Sequence, residues 1–397
     1  MTYTQYVPVY VTPDEYRIPV TLSAPETLHD PGKIYFYKKY VFINEVRKGV
    51  HVINNENPMQ PINIGFINIP GNIDMAVMNN TLYTDAYTDL LSINISDPTN
   101  PTLLQRKENV FNSLYFTNND FGLLSHYEPT EVTQKIDCSS HFYGRDVFLT
   151  EDGNVFFDSS LANGSIGTTA GGNPQVGQGG SMARFTITKN HLYAVGESEI
   201  FALPVQASGE VGEATTTSLP WGIETIYPFK NYLFLGANDG MHILDIDNPL
   251  QPKLRSSFVH ARACDPVVVD GDIAYVTLRT GEFTCPGDRN ELQVLDVSNV
   301  DNPKLLHNFS MENPHGLGYT SDQLYLCEGV HGLKIFDKSN ISEIGSKLIS
   351  HIQNLHAWDV ISLSDKSILV IGNDGFYQYN CTNPQTPVLL SKIPVER

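Results

Sequence analysis

The sequence predicts an all-β chain: a single β-propeller of seven four-stranded blades. Three observations predict it. One 13-residue phrase recurs seven times, the recurrences lie about 40 residues apart, and no unit contains a helical period of apolar residues. The phrase reads GVHVINNENPMQP at Gly49–Pro61, DLLSINISDPTNP at Asp89–Pro101 and GMHILDIDNPLQP at Gly240–Pro252. It returns as ELQVLDVSNVDNP at Glu291–Pro303, GLKIFDKSNISEI at Gly332–Ile344 and GFYQYNCTNPQTP at Gly375–Pro387. A worn copy, EIFALPVQASGEV, occupies Glu199–Val211. If that worn unit is not a true blade, the ring has six blades.

Each unit holds four strand-like pieces. In the fourth unit these are Ile223–Phe229, Tyr232–Leu235, Met241–Ile246 and Lys253–Val259. Lys230-Asn231, Asn238-Asp239-Gly240 and Asp247-Asn248-Pro249 separate them. Gly supplies positive φ, Asn and Asp make side-chain turns, and Pro, lacking an N–H, suits a connection. The sixth unit follows the same plan with Leu317–Thr320, Leu324–Cys327, Leu333–Phe336 and Lys347–Ile352. Four short strands in about 40 residues make a propeller blade.

The phrases begin at 49, 89, 199, 240, 291, 332 and 375, so two spacings exceed the period. The first excess is an insertion of about 109–181 between the second and third units. Its first half carries Phe111, Tyr115, Phe116, Phe121, Tyr127, Phe142 and Tyr143, enough apolar mass to pack down. Its tail, Ser159–Ser181, is rich in Gly, Ser, Thr and Asn and reads as flexible. A shorter insertion lies near Arg279–Asn290 in the fifth unit. Residues 1–31 read as an N-terminal extended arm and 32–397 as the propeller.

The chain has 25 Lys and Arg against 44 Asp and Glu, and no basic run. That excludes a phosphate-backbone binder, so no nucleic acid is expected. Solubility is the plain reading of the acidity, with a divalent cation or a basic partner as the other. No apolar stretch reaches 18 residues, so no membrane-spanning helix is expected. No Walker loop, G-x-S-x-G elbow or H-E-x-x-H motif is present.

The phrase, as in Gly332-Leu333-Lys334-Ile335-Phe336-Asp337-Lys338-Ser339, resembles the LVIVD repeat. The chain as a whole is similar to LVIVD-repeat lipoproteins of Bacteroidetes. Pro70-Gly71-Asn72-Ile73-Asp74-Met75-Ala76-Val77 and Gly180-Ser181-Met182-Ala183-Arg184-Phe185 look like segments typical of that group. The resemblance implies a propeller exported to the outer membrane or periplasm and attached to the membrane only through a lipid anchor. It implies no defined activity. A signal sequence and lipobox cysteine are missing before Thr2-Tyr3-Thr4, a departure read as truncation, so the location is an expectation.

Aligning the units on their second strands (Val41, Leu82, Leu192, Leu233, Ala274, Leu324 and Ile368) gives the start of each first strand. These starts are Gly32, Ile73, Ala183, Glu224, Asp265, His315 and Asp359, with Asp74, Arg184 and Trp358 one residue away. Glu224, Asp265, His315 and Asp359 thus fall near one mouth of the central channel, where three carboxylates and a histidine could take a divalent cation or a polar ligand. Polar residues at strand starts also cap edges and bind channel water, so a structural reading stays open. His356, Trp358, Arg184 and Asp74 complete the candidate set, with the indole able to stack on a sugar or fill the channel. Both insertions emerge on this face.

Cys264 precedes the first strand of the fifth unit and Cys285 lies in its insertion, which suggests a disulfide. Cys327 falls in a strand and reads as a buried thiol. Cys138 and Cys381 have no assigned place. Two function classes follow. One is a non-catalytic binding or scaffold propeller of the cell envelope, meeting a protein or glycan at the mouth. The other is a glycan-acting hydrolase or lyase using two mouth carboxylates as acid and base.

Overall fold

A computed structural model describes residues 2–133, 164–165, 176–260, 266–280 and 289–396. Its described residues form seven antiparallel four-stranded blades, taken in chain order around a ring. Blade 1 is Pro31–Tyr37, Tyr40–Glu45, Gly49–Asn54 and Ile62–Asn68. Blade 2 is Met75–Met78, Thr81–Ala86, Asp89–Asn94 and Thr102–Lys107. Blade 3 is Phe185–Thr188, His191–Val195, Glu199–Pro204 and Thr215–Ser218, so the worn copy is a full blade and the count is seven. Blades 4 to 7 begin at Ile223, Val267, Leu317 and Ala357, within two residues of the starts read from the sequence.

The repeated phrase has a physical meaning. Its first six residues form the third strand of each blade, except in blade 6, where the strand is Leu333–Asp337. The Asn or Asp at its sixth place then closes a side-chain turn by accepting from the backbone two residues on. Asn54, Asn94, Asp245, Asp296, Asp337 and Asn380 accept from Glu56, Ser96, Asp247, Ser298, Ser339 and Thr382 at 2.7–3.0 Å. A backbone turn starts at the ninth place, as in Gln60 N to Asn57 O and Gln251 N to Asn248 O. The N–H of the seventh residue reaches back to the turn between the first two strands in all seven blades, including Val205 to Asn190 in the worn copy. Glycine opens four of the phrases, at Gly49, Gly240, Gly332 and Gly375, because a Cβ there would strike a carbonyl oxygen of the outer strand.

The apolar faces of neighbouring blades meet in cores such as Phe42, Leu82, Phe111, Phe185 and Phe201 between blades 1 to 3, and Phe234, Val268, Val276, Leu326 and Phe336 between blades 4 to 6. The ring closes between blades 7 and 1. Leu28 bridges Val395 in parallel, and the amides of Asn55 and Gln378 exchange two hydrogen bonds of 2.9 and 2.6 Å.

Two segments differ from expectation in their setting. The arm does not stand alone. Thr2–Val11 pairs with Gly122–Thr133 of the insertion, which also pairs with Thr117–Asn118, giving a three-stranded sheet outside the ring. Arg17 anchors the arm by a fork to Asp89 at 2.9 and 3.0 Å. The insertion's Phe111 is buried, whereas Phe116 and Phe121 are exposed; Phe142 and Tyr143 lie outside the described residues.

The end of the Gly-rich tail corrects the reading of flexibility. Gln178–Ser181 pairs with the first strand of blade 1 on its inner side, inside the ring, through Gln178–Phe36 and Gly179–Tyr35. Its glycines answer a steric need. A Cβ on Gly177 would overlap the Tyr35 ring, and one on Gly180 would overlap the Asp359 carboxylate.

Candidate functional site

The inner strand Gln178–Ser181, a plug within the ring, decides what several channel residues do. Ser181 donates to Asp359 Oδ1 from its backbone N (3.1 Å) and its Oγ (3.2 Å), and its Oγ accepts from Leu317 N at 2.6 Å. Asp74 Oδ2 accepts from the backbone of Arg184 (2.6 Å) and Phe185 (3.1 Å), and Oδ1 from Met75 N at 2.6 Å. Lys33 Nζ donates to Met182 O at 2.8 Å and lies 4.0 Å from Asp74 Oδ2. Burial raises the pKa of Asp359 well above the usual carboxylate range, raises that of Asp74 and lowers that of Lys33. Two of the sequence candidates are therefore buried and committed within the chain, Asp359 to Ser181 and Asp74 to the backbone entering blade 3. They do not face each other across open solvent, as acid–base glycan chemistry needs.

His315 also sits deep, 5% exposed, with its carbonyl held by Thr277 Oγ1 at 2.7 Å. Among the described residues neither ring nitrogen has a hydrogen bond, and burial, then Arg279 and His356, hold its pKa well below the ordinary histidine value. His356 accepts from the Trp358 indole at 3.2 Å, the two rings lying edge to face on the approach to blade 7. Glu224 is half-buried at the start of blade 4. Asp265, Cys264, Cys285 and Cys138 lie outside the described residues. Cys327 and Cys381 are buried free thiols, their pKa values raised by burial. Among the described residues no three His, Cys, Asp or Glu side chains are grouped to hold a metal ion.

The same face has a recess between blades 2 and 3, of roughly 370 Å³ including its open mouth. Ile73, Asp74 and Asp85 of blade 2, and Arg184 and Phe185 of blade 3, form its floor and sides. Tyr87 from the turn after Asp85, and Phe111 and Tyr115 from the start of the insertion, complete it. Asp74 and Arg184 are thus the sequence candidates that the fold brings together at an opening. Arg184 is set electrostatically against Glu197, which bonds the Trp221 indole and whose pKa burial raises.

Asp85 is the residue that sequence reasoning missed. It is 7% exposed, and its Oδ1 accepts from Ile73 N (2.8 Å), Asp74 N (3.0 Å) and Asn72 Nδ2 (3.2 Å). Oδ2 accepts no hydrogen bond among the described residues. Burial, with the Asp74 charge adding to it against these hydrogen bonds, pushes the Asp85 pKa up to about 7.

A comparison between blades shows why one oxygen is left over. Glu45, Asp85 and Glu328 each stand four residues before a phrase. Each caps the segment entering its own blade. Glu45 accepts from His29 and Asp30, Glu328 from Glu312 and Asn313, and Asp85 from Ile73 and Asp74. Glu45 also holds His51 at 3.0 Å, and Glu328 holds Lys334 at 3.0 Å, both from the third place of the phrase. In blade 2 that place is Leu91, which has no donor. The signal was in the sequence, as an apolar residue following a capping acid where blades 1 and 6 carry His51 and Lys334.

The LVIVD repeat family matches residues 229–259 and 261–310, which overlap blades 4 and 5. This chain carries LVIVD repeats. No curated protein matches it. Among solved structures, the computationally designed Ika8 protein is similar over 93% of this chain and 89% of its own, at 10% identity and a TM-score of 0.52. Hsv2 of Kluyveromyces lactis covers 94% of this chain and 98% of its own, at 8% identity and a TM-score of 0.48. A protein from Lactobacillus plantarum covers 90% and 83%, at 12% identity and 0.44. The likeness to the designed protein shows a shared fold alone. The two segments singled out in the sequence, Pro70–Val77 and Gly180–Phe185, are joined by Asp74 at the recess.

Proposed function

We propose that this LVIVD-repeat propeller is a non-catalytic binding or scaffold module of the bacterial cell envelope, and that it meets its ligand on the mouth face at the recess between blades 2 and 3. The observation that carries the reading is the contrast on that face. Asp359 is buried against Ser181 inside the ring, whereas Asp74, Asp85 and Arg184 line a recess that opens on that face, with Asp85 Oδ2 accepting no hydrogen bond among the described residues. Rigid strands place it and connections surround it, which is how scaffolded binding sites are built. The envelope location rests on the resemblance to exported LVIVD lipoproteins.

A thermal-shift screen of amines, oligosaccharides, carboxylates and divalent metals, followed by hydrogen exchange with any hit, tests the site. Protection is expected at 72–74, 85–88 and 111–116. Protection confined to the opposite face, at the turns around Lys38–Lys39 and Asn79–Asn80, would contradict it. Fractionation of the producing cell tests the location, with recovery in the envelope expected and recovery in the cytosol contradicting it.

A further inference from the structure

We propose that the Asp85 recess binds a primary ammonium group, taking from a ligand the nitrogen that Glu328 takes from Lys334 within the chain. The inference rests on the mouth-face reading and names the ligand class for it. Glu328 and Asp85 occupy the same place before the phrase and perform the same capping of the entering backbone. Glu328 completes its coordination with the Lys334 ammonium at 3.0 Å, and the corresponding place in blade 2 is Leu91, which has no donor. Asp85 lines the recess with Oδ2 accepting no hydrogen bond among the described residues, and an ammonium is the strongest match for a carboxylate oxygen.

The walls suit the same group. Tyr87 and Tyr115 line the recess beside Phe111, and aromatic faces attract cations. Tyr87 is positioned by Ser125, its hydroxyl 2.8 Å from Oγ. The charged and titratable groups around Asp85 are Asp74, Lys33, Arg184, Arg47, Tyr87 and Tyr115. Lys33 is held by Met182 O and Asp74, and Arg184 is set against Glu197, so two of the three cations near the recess already face acceptors or an acid. The burial of Asp85 sets the pH dependence. Its carboxylate form prevails above about 7, so ammonium binding is present there and is lost as the pH falls through that value.

Isothermal titration of the full chain with n-butylammonium and with Nα-acetyl-lysine methylamide tests this at pH 8.5 and 5.5. Expected are saturable binding at the higher pH and a drop of at least about tenfold at the lower, since each unit below the pKa costs a factor of ten in the charged form. Tighter binding of the lysine derivative marks a lysine side chain of a partner as the source; equal binding marks a free amine. Asp85→Asn keeps the capping oxygen and is expected to abolish binding. Leu91→Lys supplies the clasp from inside and is expected to abolish it too. Should Leu91→Lys not fold, the pH profile and Asp85→Asn still decide. No amine binding at pH 8.5, or equal binding by Asp85→Asn, overturns the inference. A carboxylate or oligosaccharide bound at the recess instead also overturns it, while leaving the mouth-face reading standing.

Discussion

The smallest unit of explanation is one acid per turn, and its surroundings decide whether it is scaffold or site. Glu328 is fully buried and accepts from two backbone amides as well as Lys334. Glu328→Ala strands all three donors and is expected to cost about 2–4 kcal/mol, read as a lower urea midpoint with an unchanged slope. A loss below about 0.5 kcal/mol would show the clasp to be ornamental. His242 has the look of a catalytic relay, with Ser257 Oγ 2.7 Å from Nδ1 and Asp239 Oδ1 3.4 Å from Nε2. Its place in the phrase is that of His51 and Lys334, which bond an acid with no serine in the arrangement. It is better understood as the blade 4 form of the clasp. Residues of this kind were half legible in the sequence. Asp74 and Arg184 were found because strand starts could be aligned. Asp85 was not, since its importance comes from what Leu91 lacks, and an absent donor is visible only once the other blades show what it would have done.

At the scale of elements, the strands and turns of each blade could be read with little loss. The phrase encodes them chemically, through Asx turns at its sixth place and a close approach at its opening glycine. The plug could not be read. Gly177, Gly179, Gly180 and Ser181 have the composition of a linker, and the same composition is what a backbone needs to pass through a filled channel. Composition cannot separate these cases, because in both the requirement is for a missing side chain. Gly180→Ala discriminates them. An added Cβ meets the Asp359 carboxylate, so overpacking is expected to cost about 1–3 kcal/mol in thermal or urea unfolding. A linker would tolerate the methyl with a neutral or slightly stabilising effect.

For the whole molecule, the seven phrases set up a ring whose two faces differ. The mouth face gathers the strand starts, the plug anchors and the beginning of the insertion. The exposed sheet made by the arm and Gly122–Thr133 is tied to blade 2 by the Arg17–Asp89 fork and the Tyr16–Thr88 contact at 3.1 Å, close to the recess. The long insertion thus contributes at both ends: Phe111 and Tyr115 build the recess, and Gln178–Ser181 closes the channel. A fold specified by repeats leaves function to the departures from repetition, and blade 2 departs at Leu91. The most direct test of this account is the carboxyl carbon resonance of Asp85, followed by NMR against pH with and without n-butylammonium. The account predicts a midpoint of about 7 for the free protein, moving lower when the amine is added. A midpoint near the ordinary value of about 4, unmoved by the amine, would contradict it.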